Sequence, residues 1–334
     1  MQWIYTMRNL FYTLLISTLA YSTTVLSVEL PSPVVSAEWL KSNLADVVVL
    51  DFRSDPSGFT STPVYDNVDG KSSLTELGGH IQGARLADFN QWRVSRTIDG
   101  KKIDKLVPDE QTVTRLMQAL GVNATDVLVL TVPGESYDEV DMATRAYWTL
   151  KSYGHRRMAV LDGGNAAWGQ AGYALVSSPV PTYGAGDWTA AQFDKTWFAD
   201  KSDVKTASEQ GDVEIIDARP LPQYLGITFK APSVTAPGHV KGARNFAPEL
   251  QVVSSGIAQV FLPASHYSDI LAAVSIETHA SNSIVYCNTG HLASGAWFVM
   301  SEIMQVEGVK LYDGSMHEWT TLGNAVVSNV RSTK

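Results

Sequence analysis

The one cysteine of this 334-residue chain, Cys287, opens the run Cys287-Asn288-Thr289-Gly290-His291-Leu292-Ala293-Ser294. Ahead of it stands the apolar stretch Ser283-Ile284-Val285-Tyr286, and behind it the helical pattern Gly295-Ala296-Trp297-Phe298-Val299-Met300. A strand that turns through a short loop onto a helix start leaves several backbone N–H groups without helical partners, and these favour an anion. Sulfur held there favours its thiolate form, which is the nucleophile, and the same amides would hold a second sulfur bonded to the first. Outside such a context, a lone cysteine reads as a small buried apolar residue.

Competing chemistries lack their residues. His317-Glu318 has no second histidine at helical spacing, and a single cysteine cannot build a metal cage, so no metal and no other cofactor is implied. A cysteine phosphatase needs an arginine just past the loop to grip phosphate, and Ala293, Ser294 and Gly295 stand there. The net charge of −9 disfavours nucleic acid or an anionic membrane as a broad partner, so an anionic small molecule must meet a local positive pocket. With 45% hydrophobic and 18% charged residues, the chain has the apolar content for folded cores.

The elements that would position Cys287 occur twice. Residues 34–178 and 187–328 repeat one order of features, which predicts two domains, 34–178 and 187–330, joined by the Pro/Ser/Gly-rich stretch Ser177–Gly184. Val47–Arg53 matches Val213–Arg219, each a β-branched run ending in Asp-x-Arg. Gly79-His80-Ile81-Gln82-Gly83-Ala84-Arg85 matches Gly238-His239-Val240-Lys241-Gly242-Ala243-Arg244, and Asp162-Gly163-Gly164 matches Asp313-Gly314-Ser315. Strands alternating with helices predict an α/β fold in which each copy is a mainly parallel sheet flanked by helices. Trp148, Trp168, Trp297 and Trp319 recur as core anchors. His80 and His239, present in both copies while only one has the nucleophile, read as structural. Only the second copy carries the cysteine; in the first, Thr131 is aligned with it, and the loop Pro133–Asp141 is longer and acidic, which assigns that copy a noncatalytic role walling the cleft.

Arg8 followed by a Ser/Thr-interrupted apolar run from Leu10 to Val28 predicts a signal peptide over residues 1–27, with export, in a bacterial cell to the periplasm, as the outcome. A membrane is a partner only if that segment is retained.

On these motifs the whole mature chain resembles the tandem rhodanese-type sulfurtransferases. The Cys-x-x-Gly-x-x-Ala loop at Cys287–Ala293 is similar to the family's active-site pattern, and the two Gly-His and Asp-Gly segments to its two recurring signatures. The resemblance implies that Cys287 takes a sulfane sulfur from a small anionic donor, thiosulfate or 3-mercaptopyruvate, as a persulfide. It then passes that sulfur to cyanide or a thiol. It also implies an arginine four positions after Arg219 to grip the donor, where this chain has Gln223. Arg219 and Lys230 are the expected replacements, and Arg244 is a further candidate lining residue. Asn288 and Thr289 are of the neutral type that the resemblance links to mercaptopyruvate, which leaves the donor open. His291 is open between proton transfer and contact with the acceptor. A persulfide carrier or partner-binding module without turnover is the alternative reading.

Overall fold

The computed structural model describes residues 28–68, 70–277 and 282–330. The expected signal segment, residues 1–27, lies outside them. Among the described residues no helix is long and apolar enough to cross a membrane.

Two five-stranded sheets, both wholly parallel, carry the fold. The first runs in the order Val34–Val35, Met158–Leu161, Leu128–Thr131, Val48–Arg53, Arg85–Asp88. The second runs in the order Phe198–Ala199, Val309–Tyr312, Ser283–Tyr286, Glu214–Asp217, Arg244–Asn245. The central strands are apolar without alternation because helices cover both faces, as parallel sheets require. Leu128–Thr131 and Ser283–Tyr286 are buried along their whole length. Residues 177–194 have no helix or strand, and this strap is bonded along the first half: Gly186 N donates to Gln118 O at 2.9 Å and Ala191 N to Tyr153 O at 2.9 Å.

Matching positions do matching work. Arg53 forks onto Asp51 and donates to Gly79 O at 2.7 Å, while Arg219 forks onto Asp217 and donates to Gly238 O at 2.7 Å. Each Asp-x-Arg therefore ties the end of a central strand to the Gly-His bend. His80 Nδ1 bonds Phe59 O at 2.8 Å and stacks on that ring, and His239 Nδ1 bonds Tyr224 O at 2.7 Å and stacks on Tyr224, which is the structural use expected of both. Trp148, Trp168, Trp297 and Trp319 are all buried.

The largest apolar cluster passes through both halves unbroken. Helix Tyr137–Ser152 of the first half lies on helix Leu292–Trp297 of the second, and Tyr147 meets Phe298 edge-on with centroids 4.9 Å apart. Side chains of this size each contribute roughly 1.5–3 kcal/mol when buried, so the halves are held as one body. At the rim of this contact, Tyr147 Oη donates to Glu302 Oε2 at 3.0 Å and Lys151 Nζ reaches Glu302 Oε1 at 2.6 Å.

Each half also extends a hairpin over the other. In the first, Val94–Ile98 pairs with Lys101–Leu106 through the turn Asp99-Gly100, whose φ values of 47° and 74° are the left-handed pair a tight two-residue hairpin turn needs. In the second, Val253–Ser255 pairs with Ala258–Val260. Val107 N, just past the first hairpin, donates to Asp313 Oδ2 at 2.8 Å, and Phe261 N, just past the second, donates to Asp162 Oδ1 at 2.9 Å. The two Asp-Gly motifs thus each anchor the opposite half's hairpin.

Candidate active site

Cys287 leaves strand Ser283–Tyr286 at its C-terminal end, where a parallel α/β sheet opens its crevice. The loop that follows is gathered by one hydroxyl. Ser315 Oγ accepts the N–H groups of Cys287 and Gly290, both at 3.0 Å, and donates to Tyr312 O at 2.8 Å. Cys287 O and Asn288 O in turn accept Met316 N at 3.0 Å and His317 N at 2.9 Å. Gly290 turns the chain at φ 70°, and a Cβ there would sit 2.7 Å from Arg145 Nη1 and 2.8 Å from Asp313 O, so glycine is required on both counts. The remaining loop amides, those of Asn288, Thr289, His291, Leu292 and Ala293, have no protein acceptor among the described residues.

A cavity of about 90 Å³ opens beside this loop, lined by Cys287, Asn288, Thr289, His291, Leu292 and Lys230 of the second half and Ser54, Phe89, Arg93, Lys105, Asp138 and Met142 of the first. Burial and the neighbouring Arg145 draw the Arg93 guanidinium down to about 10, and burial with Arg93 and Lys230 nearby lowers Lys105 as well. The Arg93 guanidinium remains a cation at neutral pH. His291 Nε2 donates to Asp138 O at 2.8 Å, while its Nδ1 is buried without a partner. Burial pushes this imidazole down to about 4, against the pull of Asp138, so the ring is neutral at neutral pH.

The expected site residues separate into two groups. Asn288, Thr289, His291, Leu292 and Lys230 line the cavity with Cys287; Gly290 and Ala293 shape the loop behind it. Gln223 stands one layer back: its Oε1 accepts Asn288 Nδ2 at 2.9 Å, so it positions the loop. Arg219 and Arg244, expected to line the donor site, do not. Arg219 is fully buried, its Nε and Nη2 committed to Asp217 and Gly238 O while Nη1 has no partner among the described residues, and Arg244 is exposed with Glu214 3.9 Å away. The expected alignment of Thr131 with the cysteine is off by one. Strand pairing sets Asp51 opposite Thr131 and Asp217 opposite Tyr286, so Val132 holds the place of Cys287. Its carbonyl accepts Asn165 N as that of Cys287 accepts Met316 N, which also sets Gly164 in the place of Ser315.

Arg93 and Lys105 were not anticipated, because they come from the first half, far along the chain from Cys287. The signal for their hairpin was present as Asp99-Gly100 between short β-prone runs. The acidic loop of the first copy does line a cleft on its own half, where Glu135 and Glu139 face Arg53, Ser54 and Asp55.

Residues 200–322 match the family model for the rhodanese-like domain. Among relatives, the 3-mercaptopyruvate sulfurtransferase of Escherichia coli is 27% identical over 304 residues, covering 89% of this chain and 98% of that protein. The sulfur carrier protein TtuD of Thermus thermophilus is 26% identical over 307 residues, covering 87% of this chain and 95% of that protein. The crystal structure of SseA from Escherichia coli, described as having the rhodanese fold, superposes with a TM-score of 0.66 at 24% identity, over 85% of this chain and 98% of that one.

Proposed function

We propose that this chain, a tandem rhodanese-type protein, transfers a sulfane sulfur through a persulfide on Cys287. The observation that carries the reading is Cys287 itself: the chain's one thiol heads a loop with five unpaired amides and lines a small cavity whose cations are Arg93, Lys105 and Lys230. With thiosulfate as donor, the Cys287 thiolate attacks the outer sulfur; the new S–S bond forms as the old one breaks, and sulfite leaves with the bonding pair. With 3-mercaptopyruvate, the C–S bond breaks and the carbanion takes the thiol proton to give pyruvate. A thiolate or cyanide then removes the outer sulfur and restores Cys287. The loop amides supply hydrogen bonds to whichever sulfur bears charge, as preorganised donors do for other developing anions. His291, neutral and bonded to Asp138 O, acts here as a wall and an acceptor through Nδ1.

The Thermus relative's name, that of a sulfur carrier, supports a second reading in which Cys287 holds sulfur for a protein acceptor without rapid turnover of a small donor. Export, with action in the periplasm, is carried as part of the proposal on the strength of residues 1–27 and is checked by fractionation of cells expressing the full chain.

Intact mass of the isolated protein after thiosulfate or 3-mercaptopyruvate decides the main point. One added sulfur, released by cyanide and lost in Cys287→Ser, is expected. Sulfur that loads but leaves only to a protein thiol selects the carrier reading, and no added sulfur from either donor overturns both.

A further inference from the structure

The first-half hairpin does more than bridge the two halves. Asp104 N donates to His317 Nε2 at 3.0 Å and Val107 N to Asp313 Oδ2 at 2.8 Å, so the second half fixes the returning strand at both sides of Lys105. The register of the hairpin shifts between Val94 and Arg96, and opposite that irregularity Lys105 holds φ 66°. A left-handed backbone costs a lysine about 1–3 kcal/mol, and an irregularity of this kind re-aims a side chain. Val94 pairs with Leu106, so the antiparallel register sets Arg93 at the hairpin base beside Val107, two positions along that strand from Lys105, and both Arg93 and Lys105 line the Cys287 cavity.

Neither they nor Lys230 forms an ion pair among the described residues. Arg93 Nε is buried with no acceptor, and its guanidinium lies over the Phe89 ring, 4.5 Å from the centroid. A buried donor left unpaired costs about 1–3 kcal/mol, which a ligand acceptor would relieve. The one carboxylate lining the cavity is that of Asp138, whose side chain is 67% exposed, and His291 is neutral. Three cations face the Cys287 thiolate and one carboxylate, Asp138, which is mostly exposed and so screened by solvent, and this leaves an excess of positive charge in a space of about 90 Å³.

We propose that Arg93 and Lys105, delivered by the first half, together with Lys230 select the sulfur donor by charge, and that the donor class is a small dianion, thiosulfate being its simplest member. This rests on the reading of Cys287 as the sulfur-accepting group. The dianion's oxygens lie on Arg93, Lys105 and Lys230 with the outer sulfur toward Cys287, and the leaving sulfite, itself a dianion, is held by the same three cations until it departs. The first copy, having no cysteine, thereby supplies the specificity of the second. A monoanionic donor such as 3-mercaptopyruvate fills only part of this charge.

The test uses the full-length chain and its Arg93→Gln/Lys105→Gln variant. The expected result is a KM for thiosulfate raised about 30-fold or more with kcat within about threefold, a KM for 3-mercaptopyruvate changed by less than about fivefold, and recovery of most of the thiosulfate effect in Arg93→Lys/Lys105→Arg. Equal KM values for thiosulfate in parent and variant overturn the proposal, and so does an equal loss for both donors. A second readout needs no turnover: sulfate protects Cys287 from the neutral reagent iodoacetamide in the parent and not in the double glutamine variant. If no donor loads sulfur onto the parent, the Cys287 reading fails, and the sulfate protection alone then decides whether the dianion site exists. A variant that fails to fold is recognised by its melting profile, and single Lys105→Met, which removes one half-buried cavity charge, then takes its place with the same readouts.

Discussion

Arg145 of the first half and Asp313 of the second form an ion pair with side chains only 1% and 2% exposed. The same arginine donates through Nη1 to Gly290 O at 3.1 Å, and Asp313 holds the Val107 amide through Oδ2. One contact therefore joins the halves, the cysteine loop and the first-half hairpin. Removing one partner of a buried pair strands the other charge and costs about 3–5 kcal/mol. Arg145→Met should lower the denaturant midpoint by that order and slow sulfur loading of Cys287. Arg145→Met with Asp313→Asn should regain part of the stability, since Asn still accepts Val107 N without a stranded charge. A double variant no more stable than the single one would show that the ion pair is not what Arg145 contributes.

Ser315 is the second residue on which the loop depends. It sits at φ 50°, where Gly164 of the other copy sits at φ 58°, so Ser315→Gly removes the hydroxyl while easing the backbone. The N–H groups of Cys287 and Gly290 then lose their shared acceptor, a cost of about 1–3 kcal/mol each in a buried setting. The relieved left-handed backbone offsets part of that cost, so the global melt should fall by several degrees, while the rate of sulfur loading falls at least about tenfold. Unchanged loading kinetics in this variant would remove Ser315 from the machinery.

How much of this was legible beforehand follows from the range over which each signal acts. The central strands, the two Asp-x-Arg ties and the strand-loop-helix around Cys287 are local patterns, and the duplication made each readable twice. Arg219 lies off the cavity because Asp217 two residues earlier pairs with it, as Asp51 pairs with Arg53, and a sequence offers a cation without its partner. The one-residue slip at Thr131 arose because both strands are unbroken apolar runs, in which only pairing to the neighbouring strand fixes the register. Arg93 and Lys105 reach the cavity through a hairpin whose middle residues, Ser95, Arg96 and Thr97, are all exposed and give no apolar alternation. That contact is made in tertiary structure and has no short-range trace beyond Asp99-Gly100.

His291 supplies a prediction about pH. Its imidazole is pushed down to about 4 by burial, with Asp138 opposing and Arg93 and Arg145 reinforcing the shift, while an unfolded histidine titrates near 6.5. Between those values the unfolded chain binds a proton that the folded chain does not, so stability falls as pH drops from about 6.5 to about 4 and this residue adds no slope below that window. The full contribution is on the order of 3 kcal/mol. His291→Gln should flatten the stability curve across that window and leave it parallel to the parent above pH 7. A curve with the parent's slope between pH 4 and 6.5 would mean that the proton uptake belongs to other groups. Since the ring stays neutral above pH 5, the same variant should not introduce or remove an ionisation in the pH profile of sulfur loading there.

Val132 gives the comparison between the two copies its sharpest form. It occupies the cysteine's position at the end of a matching strand, yet the loop beyond it differs in every feature assigned to sulfur chemistry. Gly164 replaces the Ser315 hydroxyl, and a side chain at Gly164 would meet Val132 O at 2.4 Å, so the two backbones lie too close for a hydroxyl to enter. The cleft on that side is lined by Glu135 and Glu139, and burial together with Glu139 raises the Glu135 carboxyl. An anionic donor is repelled there, and a thiolate gains no gathered amides. Val132→Cys combined with Cys287→Ser should therefore fold, since the substitution roughly conserves apolar volume, and should take up no sulfur from thiosulfate under conditions that load the parent fully. Intact mass reads the result directly. A single cyanide-releasable sulfur on Cys at that position would show that the strand end alone suffices for loading and that neither Ser315 nor the cation-lined cavity is required.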